Sequence, residues 1–174
     1  MKQINFLSDN IQNLIEDIKY GRAIAVTDAS VSLYTSVGAS TFVITTCNLQ
    51  TSCSGAHGVP PGLAPMDSYR AEIYGIYSIF VCLQHIAKTH NLQKGEILMA
   101  CDNKTGLYIS LAYENRASIS QGGFDILWAI HKIRQELPFK TRFQHVKGHQ
   151  NVTGKFLTLL EKLNCITDKR LGST

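Results

Sequence analysis

The chain has 174 residues, of which 44% are hydrophobic and 17% charged; this argues against disorder and is long enough for one domain with a sizeable core. Its 17 Lys and Arg against 13 Asp and Glu leave a net charge of +4, which mildly favours an anionic partner without requiring one. Five cysteines, odd in number and without a CxxC pair, argue against a disulfide framework and for reduced, buried thiols in an intracellular compartment. No basic stretch followed by an apolar one opens the sequence, so a signal peptide is not expected. The long uncharged stretch between Glu72 and Lys88 falls short of the roughly 20 apolar residues that span a bilayer, so no membrane segment is expected.

In chain order, Ser8 or Asp9 caps a helix over 8–20, with Ile11, Leu14, Ile15 and Ile18 at helical spacing and Gly21 at its end. Alternating β-branched residues predict a strand over 22–32, and "TFVITT" a second over 41–46. The Gly- and Pro-rich segment 51–66 has room for one short edge strand and then a loop. A long helix follows over 68–90, then a buried strand over 96–101, a short helix over 103–112, a helix over 123–137 stopped by Pro138, a strand over 140–146 and a last helix over 155–170. We expect an N-terminal helical lead-in, 1–21, and one domain, 22–174. The strands show little polar alternation, as expected where helices cover both faces of a mixed α/β sheet.

Two of these apolar strands deliver a carboxylate at or near their C-terminal ends: Asp28 in "AIAVTDAS" and Asp102 in "EILMACDN". Asp is depleted in strands because its desolvation is costly. Ligands of such sheets sit outside the carboxyl ends of neighbouring strands, so if these two strands are adjacent, the two acids share one site. Glu72, on an otherwise apolar helix, faces solvent or meets a partner there. Asp168, in "LNCITDKRL", points back toward the sheet or is neutralised by Lys169 and Arg170. Clustered carboxylates cannot all ionise cheaply; either one keeps a proton or a hard cation such as Mg²⁺ or Mn²⁺ sits between them. "HVKGHQ" adds Lys147 and His149 in a loop, where a histidine can shuttle protons or help release an anionic product. His145, inside the strand, reads as structural, and with no cysteine pair close by a zinc site is not expected.

"TDAS", "SYRAEIYG", "CDN", "HVKGHQ" and the late Asp of "CITDKRL", in this order, resemble a type 1 ribonuclease H domain, in particular those of eukaryotic retroelement reverse transcriptases. The resemblance spans about residues 22–171 and implies a ribonuclease H-like fold, with a mixed five-stranded sheet and helices on both faces. It implies metal-dependent endonucleolytic cleavage of the RNA strand of RNA–DNA hybrids, leaving a 3′-hydroxyl and a 5′-phosphate. The family's four acids fall on Asp28, Glu72, Asp102 and Asp168, which would hold two Mg²⁺ ions, with Mn²⁺ able to substitute; its mobile histidine falls on His149. Contacts to the hybrid are implied at Ser30, Ser68, Tyr69, Arg70, Asn103 and Lys147. Many relatives carry Asn-Gln where this chain has Ser68-Tyr69, and "AYENRASISQG" is too short for the basic handle of some bacterial relatives. An upstream reverse transcriptase domain in a parent polyprotein and a monomer in isolation complete the expectation.

Proofreading exonucleases place an Asp and a Glu two residues apart in the first strand, whereas Asp28 is followed by Ala29 and Ser30. Integrases order their acids Asp, Asp, Glu, whereas Glu72 precedes Asp102. The alternative from another class is a catalytically silent hybrid- or RNA-binding module of the same fold.

Overall fold

A computed structural model describes residues 4–6, 11–32, 34–62, 66–112, 123–147 and 158–171, with side chains described for all of these except 4–6, 109, 111, 112, 168, 170 and 171. In chain order the elements are β1 (Ile4–Phe6), α1 (Ile11–Lys19), β2 (Ala23–Ser32), β3 (Val37–Thr45), β4 (Ser52–Val59), α2 (Ser68–Thr89), β5 (Glu96–Cys101), α3 (Lys104–Ala112), α4 (Phe124–Glu136), β6 (Lys140–His145) and α5 (Leu159–Leu171). They build one mixed sheet in the order β1-β4-β3-β2-β5-β6. β2, β3 and β4 form an antiparallel meander, and β5 and β6 are added parallel to β2. The five expected strands are all present. The N-terminal segment, expected to be helical only, adds β1, whose three residues pair with β4 and cap that edge of the sheet.

Period-two alternation along β2 explains why both faces are covered. Ala23 and Ala25 join Ile97, Met99 and Cys101 in the larger core, under Leu14, Ile15 and Ile18 of α1, Ile73, Ile76, Phe80 and Leu83 of α2, and Leu127 and Ile130 of α4. Ile24 and Val26 point the other way and pack with Val43, Ala100 and Val146 against Leu160 and Leu163 of α5. A sheet with helices on one side only would leave the second set wet.

Local signals set the ends. Asp67 caps α2, its carboxylate accepting from the Arg70 amide at 2.7 Å. At the start of α5, Thr158 and Glu161 form a reciprocal capping box: the Thr158 amide donates to Glu161 Oε2 at 2.7 Å and the Glu161 amide to Thr158 Oγ1 at 3.3 Å. α2 crosses β2 closely at Gly75, where a Cβ would run into Thr27 Oγ1. Gly123, with φ +76°, starts α4 in the left-handed region that a side chain disfavours. Among the described residues no helix is long and apolar enough to cross a membrane.

Candidate active site

The register explains where the acids meet. β2 and β5 pair only from Ala23↔Ile97 to Val26↔Ala100, and β5 ends at Cys101, while β2 runs on to Ser32 against β3. Asp28 is therefore not at the end of its strand, as its apolar run suggested; it lies mid-strand against Thr41, just past the last rung that β2 shares with β5. Asp102 is the first residue after β5. Where β5 stops, the two faces of the sheet are no longer separated, and side chains from both layers can reach one another.

Glu72 enters this gap from α2, second turn, only 7% exposed. The Cys101 thiol donates to Glu72 Oε2 at 3.4 Å and lies 4.0 Å from Asp102 Oδ1, and an oxygen of Glu72, the Cys101 sulfur and an oxygen of Asp102 all lie within 4.8 Å of one another. Burial first, then the Asp102 and Asp28 charges, push the Glu72 carboxyl up to about 9, against hydrogen bonds from the Cys101 thiol and the Ala29 amide that favour its ionised form. Without a cation, Glu72 is thus the acid that keeps its proton. Asp28 is 6% exposed, with one carboxylate oxygen 2.8 Å from the Ala29 amide.

Cys101 is a member of this cluster that the sequence reading treated only as a core residue. Alternation puts it on the opposite face of β5 from its neighbours Ala100 and Asp102, toward α2, and that parity was readable in "EILMAC". Burial above all holds its thiol well above its ordinary range, so it is a neutral donor rather than a thiolate ligand. The Asn103 amide donates to its sulfur at 3.3 Å.

Asp168 lies in α5, and its side chain is outside the description. The backbone nevertheless places its helix: the Thr41 hydroxyl donates to the carbonyl of Thr167 at 3.1 Å, and Thr41 is the register partner of Asp28. The residue before Asp168 is thereby fixed against the rung that carries Asp28. His149 falls outside the described residues.

The expected hybrid contacts divide. Ser30, Ser68 and Lys147 are exposed, and Tyr69 is half-buried. Asn103 is partly buried and uses its side-chain oxygen to cap α3, accepting from the Gly106 amide at 2.8 Å. Arg70 is turned inward: it is 4% exposed and forms a two-pronged pair with Asp125 of α4, Nη1 and Nη2 each 2.8 Å from a carboxylate oxygen. Its charge ties α2 to α4 rather than reaching outward. His145 Nε2 lies 2.9 Å from the Asp102 carbonyl, consistent with a structural histidine holding the strand end that presents the acid.

No family model matches the chain, and no curated protein matches it in sequence. Solved structures do match in shape. LC11-RNase H1 in complex with RNA/DNA hybrid aligns at 17% identity with a TM-score of 0.58, over 86% of this chain and 99% of that one. A second LC11-RNase H1 structure, of an enzyme isolated from compost, gives 15% identity and a TM-score of 0.55 over 88% and 94%. The N-terminal RNase H domain of a Mycobacterium tuberculosis protein gives 10% and 0.52 over 85% and 96%. The fold is that of ribonuclease H. At these identities the ribonuclease H likeness is one of architecture, and the chemistry rests on the acids themselves.

The donor set fits a hard divalent cation. Glu72 and Asp102 offer carboxylate oxygens within 4.8 Å of each other, the ligands Mg²⁺ and Mn²⁺ prefer, and Asp28 lies near enough for its charge to raise the Glu72 carboxyl.

Proposed function

We propose that this protein is a metal-dependent endonuclease that hydrolyses the RNA strand of RNA–DNA hybrids, leaving a 3′-hydroxyl and a 5′-phosphate, and that it is the ribonuclease H part of a retroelement polyprotein. The observation that carries the proposal is the convergence of Asp28, Glu72 and Asp102 where β5 ends, with both aspartate charges raising the buried Glu72 carboxyl, on a ribonuclease H fold. Asp28, Glu72, Asp102 and Asp168 would hold two divalent cations, which when bound supply an activated water and stabilise the leaving oxygen of an in-line displacement.

The chain's own residues do the rest. Asp28, fixed in the β2–β3 ladder, is the rigid member of the set; Asp102, the first residue after β5, would orient the scissile phosphate. The Cys101 thiol donates to Glu72 and keeps its carboxylate from swinging away. His149 would help the anionic product depart. Ser30, Ser68, Tyr69, Asn103 and Lys147 would contact the hybrid, where the 2′-hydroxyl distinguishes RNA from DNA. Since "AYENRASISQG" is too short for the basic handle of some bacterial relatives, binding by this domain alone would be weak and salt-sensitive, with an upstream polymerase domain supplying affinity.

The experiment is incubation of end-labelled RNA–DNA hybrid with the protein in Mg²⁺. RNA-strand cleavage by wild type, lost in a folded Asp102→Asn variant, is the expected result. Retained binding with no cleavage by wild type would instead make the protein a silent hybrid-binding module.

A further inference from the structure

The chain's single tryptophan is not in the core. Trp128 of α4 is 50% exposed, and the Lys132 ammonium, one turn on, lies 5.4 Å from its ring centre. His131 and Gln135 share that helix face, being three and seven residues from Trp128. The face leads into a cleft of about 720 Å³ between the C-terminal half of α4 and the edge strand β6, lined by His131, Arg134, Lys140 and Arg142 above Leu137 and Phe139. Its one carboxylate, Glu96, is already paired with Arg142. Among the described residues no carboxylate lies within ion-pair distance of Lys140.

Direction matters as well. β5 and β6 are parallel, so α4, which crosses between them, has its N-terminus at the end of the sheet that carries the acids and its C-terminus at the other. Asp125, bound to Arg70 beside Glu72 in α2, marks the first end; the Glu96↔Lys140 rung, the length of β5 away, marks the second. An exposed ring on this helix, with Lys132 beside it and Lys140 in the cleft beyond, provides what a flexible nucleic-acid strand needs: a π surface for a base and charges for the phosphates that follow it. An acidic protein partner would use the charges but has no need of the ring.

We propose that the α4–β6 face binds single-stranded nucleic acid, with a base stacked on Trp128 and the phosphates that follow it held by Lys132 and Lys140, as a site separate from the acid cluster. It holds a strand that runs past the acids along α4, and it does not depend on the acids performing hydrolysis.

Because Trp128 is the only tryptophan, its fluorescence reads this face alone. Titration of the wild-type protein with an oligothymidylate in low salt and EDTA is expected to quench that emission, with affinity falling steeply as salt rises. A Lys132→Ala/Lys140→Ala variant is expected to bind roughly ten-fold more weakly with an unchanged circular dichroism spectrum, and Asp102→Asn is expected to bind like wild type, which separates this site from the nuclease reading. Absence of quenching by the oligonucleotide, quenching unaffected by the lysine substitutions, or equal binding and quenching by polyglutamate would each overturn the proposal.

Discussion

The Thr41 hydroxyl and the Thr167 carbonyl, 126 residues apart in sequence, lie 3.1 Å from each other and join β3 to α5 beneath the rung that carries Asp28. Thr41 is 1% exposed, so the bond is dry, and removing the donor leaves the Thr167 carbonyl without it. Thr41→Val should cost about 1–2 kcal/mol in denaturant unfolding and weaken divalent-cation binding through the seat of Asp168. Unchanged stability and unchanged cation affinity would show that α5 is held by its apolar contacts alone.

Glu72 makes the metal-free protein sensitive to base. Its carboxyl is raised from an ordinary value of 4.5 to about 9 in the folded state, because burial and the Asp102 and Asp28 charges disfavour ionisation. The contribution to stability is therefore complete below the unfolded value and is lost as pH rises through the window from 4.5 to about 9. In EDTA, the melting temperature of wild type should fall across that window, and Glu72→Gln should flatten the decline. Mg²⁺ should restore most stability at the alkaline end, where the repelling carboxylates are all ionised. A wild-type profile as flat as that of the Gln variant contradicts this.

The Arg70–Asp125 pair is a brace between α2 and α4. Asp125 is mostly exposed while Arg70 is enclosed, so the effect of substitution is mainly that of stranding a buried guanidinium. Asp125→Asn is expected to destabilise by about 1–3 kcal/mol, less than a fully buried pair because solvent reaches the acid. The Arg70 guanidinium holds the Asp125 carboxyl below its usual range, so this support is present above that range and fades as pH falls through the lowered value. Equal stability of the two proteins by urea titration would remove the brace.

Gly75 should not tolerate alanine despite its place inside a helix. Alanine gains about 1 kcal/mol in helix propensity, but its Cβ meets Thr27 Oγ1, which is itself held by a 2.9 Å bond to the Thr41 carbonyl. Overpacking of this kind costs about 1–3 kcal/mol. Gly75→Ala should therefore be net destabilising, and Thr27→Ala in the same chain should recover part of the loss. Additive losses in the double variant would refute the contact.

Most of the architecture could be read from local pattern, since the helices with apolar stripes and the strand at 96–101 depend on residues close in sequence. Three things could not. β1 has only three residues and is a strand because β4 offers it an open edge, so no window of its own sequence predicts it. Asp28 ends an apolar run but not its strand, because β3 continues to pair where β5 has stopped, and ladder length is a property of the partner. Arg70 sits next to the site in sequence yet points to Asp125, 55 residues on, a distinction that only the packing of α2 against α4 decides. The acids were legible because a carboxylate in an apolar run is costly enough to need a reason.

The most direct measurement is the anomalous signal from crystals of the protein soaked in Mn²⁺. Density between Asp28, Glu72 and Asp102, with a carboxylate shared between ions and Asp168 completing one shell, is the predicted result. Mn²⁺ bound elsewhere, or no Mn²⁺ among these three acids at saturating concentration, would contradict a metal-dependent nuclease.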